Sequence, residues 1–234
     1  LPLAIIMEAV AAQVADGNIL RLIEKFLRCG VMEEGVFKPT TVGTPQGGVI
    51  SPLWANIVLN HLDWRLHERG FRFVRYADDF VVLCQTQAQA EEALTLVTHT
   101  LTELGLSLSA EKTRITTYGK GYSFLGFVLS SRSRRMRDKS KRKFQEKVRL
   151  LTIRSRNLDA QVIVKLNPVI RGTAHYFATR WFTGRWTLRE LDAWIRRRVR
   201  CLKYKRFRYH DNRRWRVKQA ERLGLLSLES FCWS

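Results

Sequence analysis

Long apolar runs are missing from this sequence and cysteines are few. No eighteen consecutive apolar residues occur, which argues against a membrane-spanning helix. The four cysteines, Cys29, Cys84, Cys201 and Cys232, are scattered, and no two have the spacing of zinc ligands. So few in 234 residues suggest a reducing compartment, with thiols packed mostly in cores. No internal repeat or long low-complexity tract is present. The apolar stretch Leu1–Val14 lacks a basic lead-in and carries Glu8, so it reads as an amphipathic helix rather than a signal peptide. Acidic residues are scarce in one region only. Residues 132–234 hold 8 Asp/Glu against 30 Lys/Arg, while residues 1–131 hold 13 against 11. The whole of the +20 net charge therefore lies in the second part, which calls for a polyanionic partner, nucleic acid or an anionic membrane.

What is present is a mixed pattern. Residues 3–15 and 18–29 read as helices interrupted by Asp16-Gly17-Asn18, and the Gly- and Pro-rich stretch 30–48 reads as loop or hairpin. Ser51-Pro52 predicts a helix start, with Ser as cap and Pro in the first turn. That helix runs to about Arg69 with Leu53, Ile57, Leu62 and Leu66 buried. A helix over 88–104, with Ala90, Leu94, Val97, Leu101 and Leu104 at helical spacing, ends at Gly105. Short strands are expected at 107–109, 114–118 and 122–129.

Residues 130–143 read as a basic, serine-rich connector, and the pattern beyond is helical. One helix is expected at about 140–155, a turn at 156–159, and a short helix before Asn167-Pro168, which opens a further helix through about Phe182. Gly184 breaks it. Thr187 with Glu190 matches a capping box. The helix from there to about Lys203 places Leu188, Leu191, Ile195 and Leu202 on one side and Arg196, Arg197, Arg198 and Arg200 on the other. The fold class is α+β.

Two segments carry chemistry. In Phe71–Cys84, two runs of aromatic and β-branched residues flank Ala77-Asp78-Asp79, predicting a tight hairpin with two carboxylates at its tip. Adjacent carboxylates repel unless a cation lies between them, and Mg²⁺ prefers such oxygens. A solvated turn is the other reading, since Asp is common in turns. The loop Gly43-Thr44-Pro45-Gln46-Gly47-Gly48 lets backbone approach a phosphate or base edge. It is not a Walker loop, because no Gly-Lys-Ser/Thr follows.

The order of these motifs is more specific than either alone. Gly43–Leu53 is followed by Tyr76-Ala77-Asp78-Asp79, by Gly105–Ser109 with Glu111-Lys112-Thr113, and by Phe124-Leu125-Gly126-Phe127. The series resembles the reverse transcriptases encoded by bacterial group II introns. Leu166–Gly172 and Leu191–Arg198 resemble that family's maturase (X) region, so the resemblance covers essentially the whole chain. It implies a partial polymerase palm, an antiparallel sheet with packed helices, over residues 1–131. Basic connector and thumb helices over 132–160 and a maturase RNA-binding region over 161–234 would follow, all helical.

By that resemblance Asp78 and Asp79 bind Mg²⁺, with deoxynucleoside triphosphates as substrates. Pro45, Gln46, Gly47 and Ala77 line the nucleotide and template pocket. Lys112 stands near the triphosphate, a solvated lysine being the other reading. Phe124, Leu125 and Gly126 hold the primer end, with ordinary core packing the alternative for Phe124 and Phe127. The expected partners are group II intron RNA and an RNA template with DNA primer, in a bacterial cytoplasm; the oligomeric state stays open. Aromatics interleaved with arginines suit structured RNA better than a bilayer. Arg171, Arg196, Arg197, Arg198, Arg200, Lys203, Lys205, Arg206 and Arg208 are the candidate phosphate contacts.

The family's first metal-binding aspartate, in a Phe-Asp pair about ten positions before the stretch matching Met7-Glu8-Ala9, would fall just before Leu1, and the fingers would precede it. Neither Glu8 nor Asp16 substitutes. No endonuclease-like His/Asn or Cys cluster is seen. Two functions are therefore expected: a reverse transcriptase with maturase activity, or an RNA-binding splicing factor or remnant without polymerisation.

Overall fold

The computed structural model describes residues 2–29, 31–33, 36–38, 50–153, 158, 160–206, 208, 211 and 215–233. The chain forms two compact units, Leu1–Ile115 and Thr116–Ser234.

In the first unit, α1 (Leu3–Ala11) leads to α2 (Gly17–Arg28). Asp16 both breaks and restarts the helical run: its carboxylate accepts from the Asn18 and Ile19 amides, 2.7 and 3.2 Å away, capping α2. An antiparallel hairpin follows, β1 (Val31–Glu33) with β2 (Val36–Lys38). Next comes α3 (Ser51–Glu68), the spine of the unit. Trp54 and Val58 pack with Ile6, Val10 and Leu27 from α1 and α2, while Leu59, Leu62 and Leu66 pack with Val97 and Leu101 of α4 (Gln87–Glu103). The buried set expected for α3 is corrected here. Leu53 is exposed, because α3 packs on two sides and turns Trp54 inward instead. Its cap is Ile50, and Ser51 lies inside the first turn.

Strands β3 (Arg72–Tyr76) and β4 (Asp79–Leu83) pair antiparallel, with Phe73 opposite Val82 and Tyr76 opposite Asp79. Phe71, Phe73, Phe80 and Val82 close over the cluster shared by α3 and α4. Gly105 ends α4 region as expected, with φ +65° and its Cα so close to the Pro2 ring that a Cβ would come within 2.9 Å. The strands expected at 107–109 and 114–118 do not form. A strand needs a ladder partner. The backbone bonds there are mostly local, Thr113 N to Ser109 O and Gly121 N to Thr117 O among them.

In the second unit, β5 (Tyr122–Phe124), β6 (Phe127–Leu129) and β7 (Arg134–Met136) form an antiparallel sheet in sequence order. The supposed connector is therefore structured: it contains β7 and the start of α5 (Asp138–Leu151), and the basic region is not wholly helical. α6 (Ala160–Phe177) runs unbroken through Pro168, where two helices were expected. Pro168 leaves only the Val164 carbonyl without its helical donor, and Val164 lies on the exposed face. Leu166, Ile170 and Ala174, all fully buried, anchor the helix on both sides of the gap. Asn167 docks alongside, donating Nδ2 to Gly224 O at 2.8 Å and accepting from Leu226 N at 3.1 Å.

α7 (Arg185–Tyr204) begins at Gly184, so Thr187 lies inside the helix and does not cap it. Leu188, Leu191, Ile195 and Leu202 are buried as expected, joined by Val199 and Asp192. α8 (Val217–Arg222) and a 3₁₀ turn (Glu229–Trp233) complete this unit. Asp192 accepts from Ser227 Oγ at 2.7 Å, Leu228 N at 2.7 Å and Glu229 N at 3.0 Å, which satisfies a buried carboxylate. Of the cysteines only Cys201 is buried; Cys84 and Cys232 are half-buried and Cys29 is exposed. Among the described residues no helix is long and apolar enough to cross a membrane.

Candidate functional site

The two-residue turn between β3 and β4 is Ala77-Asp78, with Asp79 already paired across the hairpin to Tyr76. Ala77 has φ +54°, a left-handed conformation that costs a residue with a Cβ about 1 kcal/mol. Asp78 and Asp79 are both exposed. The hairpin expected from the flanking patterns is therefore present, and it lifts the carboxylate pair into solvent.

Arg75 holds that turn. Its Nε lies 2.8 Å from Asp63 Oδ1 and its Nη2 2.5 Å from Asp63 Oδ2, a bidentate grip on α3. Its Nη1 donates to Asn56 Oδ1 at 2.8 Å and to Ala77 O at 3.0 Å. One half-buried guanidinium thus joins α3 to the strained residue of the turn. Sequence reasoning missed Arg75, Asp63 and Asn56. The signal was there: strand alternation points Arg75 inward with Phe73, and an inward charge needs partners. Asn56 and Asp63, two helical turns apart, share one face of α3.

Lys112 is exposed, its side chain meeting no acidic partner among the described residues, on a local turn where its amide donates to Ser109 O at 3.1 Å. Pro45, Gln46 and Gly47 lie outside the described residues. Among the described residues no three acidic, His or Cys side chains gather into a metal cluster.

In the second unit, Leu125 and Gly126 form the β5–β6 turn with φ +46° and +78°. Three donors fix it: Tyr176 Oη to Leu125 O at 2.8 Å, Arg137 N to Gly126 O at 2.8 Å and Ser140 Oγ to Gly126 O at 3.2 Å. A Cβ at Gly126 would meet Ser140 Oγ at 3.0 Å. Phe127 is a packing residue, its ring 4.8 Å from Phe177 and stacked on Tyr176 at 5.7 Å. Phe124 is half-buried.

The basic candidates differ in how they are held. Arg171, Arg197, Lys203, Lys205 and Arg208 are exposed. Arg198 is half-buried and ties α7 to the end of α5 through Thr152, Nε to Oγ1 at 3.0 Å and Nη2 to the carbonyl at 2.5 Å. Arg206 pairs with the buried Asp211 at 3.2 Å, which raises its already high pKa. Arg196 and Arg200 are half-buried, and burial, then Arg197 alongside, pushes the Arg200 guanidinium below its usual value.

Comparison with known proteins gives two family matches. The model described as reverse transcriptase (RNA-dependent DNA polymerase) matches residues 1–129. The group II intron, maturase-specific domain matches residues 141–221. Among curated relatives, protein YkfC of Escherichia coli is 32% identical over 166 residues, which is 56% of this chain and 44% of that protein. The group II intron-encoded protein LtrA of Lactococcus lactis is 41% identical over 63 residues, 27% of this chain and 10% of that protein. An uncharacterised 91 kDa protein in the cob intron of Schizosaccharomyces pombe is 24% identical over 72% of this chain and 32% of its own length. The matched stretch is thus less than half of each relative.

Proposed function

We propose, because this chain belongs to the reverse transcriptase (RNA-dependent DNA polymerase) family, that it is the palm, thumb and maturase portion of a group II intron-encoded protein. In that role it copies RNA into DNA and binds its intron RNA to aid splicing and mobility. The observation that carries this reading is one chain holding, in order, a polymerase-family region with a solvent-facing Asp78-Asp79 turn and a maturase-specific region.

Asp78 and Asp79 suit a divalent cation because they offer hard oxygen donors on a fixed turn. They fit as two ligands of a cage whose other donors come from phosphate, water or further carboxylates. Mg²⁺, when bound, activates the primer 3′ hydroxyl and neutralises the leaving pyrophosphate of a deoxynucleoside triphosphate. The chain's own residues then position. Arg75 keeps the turn from swinging away from α3, and Ala77 sets the outward aim of both carboxylates. Lys112, exposed and cationic, would balance triphosphate charge. The pinned Leu125-Gly126 turn would present the primer end. The basic helices engage phosphates of the intron RNA. The same reading puts the protein in a bacterial cytoplasm.

Primer extension on an RNA template with Mg²⁺ tests the polymerase part. Incorporation by the chain, abolished by Asp78→Ala, is the expected result. A chain that binds intron RNA but extends no primer is instead an RNA-binding splicing factor.

A further inference from the structure

The corner that joins α6 to α7 leaves two tryptophans in solvent. Trp181 is 64% exposed and Trp186 71%. Between them the corner is fixed. Phe182 is buried, and its ring lies so near Gly184 that a Cβ there would come within 2.7 Å of it. Thr183 is laced to the edge strand β7: its amide donates to Arg134 O at 3.0 Å, and its hydroxyl accepts from Arg134 N at 2.8 Å. Phe182 is the peg of the corner, and the indoles on either side of it stay in solvent. One turn along α7 from Trp186, the Glu190 carboxylate takes Lys141 Nζ at 3.0 Å.

The surroundings are cationic and polar. The Arg180 guanidinium lies 5.3 Å over the Trp181 ring. Arg134 and Arg135 are exposed along the edge of β7, and Thr179 and Thr183 face solvent. A membrane-seating surface needs a continuous apolar face, and arginines and threonines interrupt this one. A base-paired helix hides its base faces, whereas an unpaired strand offers a flat π-surface at every nucleotide and a phosphate between each.

We infer that the α6–α7 corner is a stacking platform for unpaired bases of an RNA strand, with Trp181 and Trp186 as the stacking rings and Arg180 and Arg134, whose backbone is bonded to Thr183, on the phosphates. It rests on the RNA-binding reading above and names the part of the RNA that this corner takes. The platform lies away from the arginine-rich half of α7 and uses rings as well as charge.

The test uses the full chain with a fluorescein-labelled oligouridine and an RNA duplex of the same length, read by anisotropy at one salt concentration. Trp181→Ala and Trp186→Ala are each expected to weaken oligouridine binding on the order of tenfold, leaving duplex binding within about twofold. Trp181→Phe and Trp186→Phe retain a ring and most of the affinity. Both indoles are exposed, so all four variants should melt like the wild type. Undiminished oligouridine binding, or equal loss for strand and duplex, overturns the platform while the RNA-binding reading stands. Absence of RNA binding by the wild type overturns both. Tryptophan-dependent binding to phosphatidylserine vesicles, with oligouridine binding unchanged, overturns the platform in favour of a membrane contact.

Discussion

Arg75 and Asp63 form a bidentate pair, 2.8 and 2.5 Å between nitrogen and oxygen, and the same guanidinium reaches the carbonyl of Ala77 next to the Asp78-Asp79 pair. Arg75 and Asp63 are only 11% and 22% exposed, so removing one partner strands the other away from bulk water. Arg75→Ala should destabilise the first unit by roughly 3 kcal/mol in denaturant titration. Arg75→Lys should fold better yet still slow primer extension, because an ammonium cannot hold Asp63 and the turn together. Wild-type extension rates in Arg75→Lys would count against a positioning role.

Asp78→Asn and Asp79→Asn should separate folding from activity. Both side chains are exposed, so stability should change by no more than about 0.5 kcal/mol. Primer extension should be lost. Thermal melts run beside the activity assay check both halves.

Ala77 sits at φ +54°. Ala77→Gly removes Cβ strain and adds unfolded-state entropy, so it should be close to neutral. Ala77→Val places a β-branched side chain there and should cost about 2 kcal/mol, read by the denaturation midpoint.

Arg197 and Arg198 are neighbours with different duties. Arg197→Ala should lower the salt dependence of RNA binding by about one unit of slope. Arg198→Ala removes the tie to Thr152 and should lower the melting temperature, with the salt slope unchanged apart from that loss. Anisotropy across a salt series, with melting curves, distinguishes the two.

Glu190 is held below the usual carboxylate range by its hydrogen bond and charge pairing with Lys141. Its folded pKa is depressed, so its contribution is present above the unfolded value of about 4.5 and fades as pH falls through the lower folded value. Melting temperature measured down the acid range should therefore fall less steeply in Lys141→Ala than in the wild type.

The aromatic and β-branched flanks of 71–84 and the short gap between them made the hairpin and its Asp78-bearing turn legible, because strand propensity and a short connection are local properties, whereas the pairing of Tyr76 with Asp79 is seen only in the structure. The α6–α7 region was harder to read. Pro168 signals a helix start locally, but Leu166, Ile170 and Ala174 bury on one side and carry the helix through it. Thr187 and Glu190 match a capping box, yet the packing of Phe182 against Gly184 starts α7 earlier. Among the site residues, Asp78 and Asp79 announce themselves by position, whereas the division of labour among Arg196, Arg197, Arg198 and Arg200 depends on which neighbours α5 supplies. Spacing along α7 alone holds no record of Thr152.

Asp192 also sets an order of events. Synthesis adds α7 before Ser227, Leu228 and Glu229, so until they follow its acid has none of its eventual donors. Residues 227–229 act as a late latch: only when they arrive can Asp192 leave water and the second unit seal. A nascent chain arrested before that point should stay sensitive to protease, and one released after it should not.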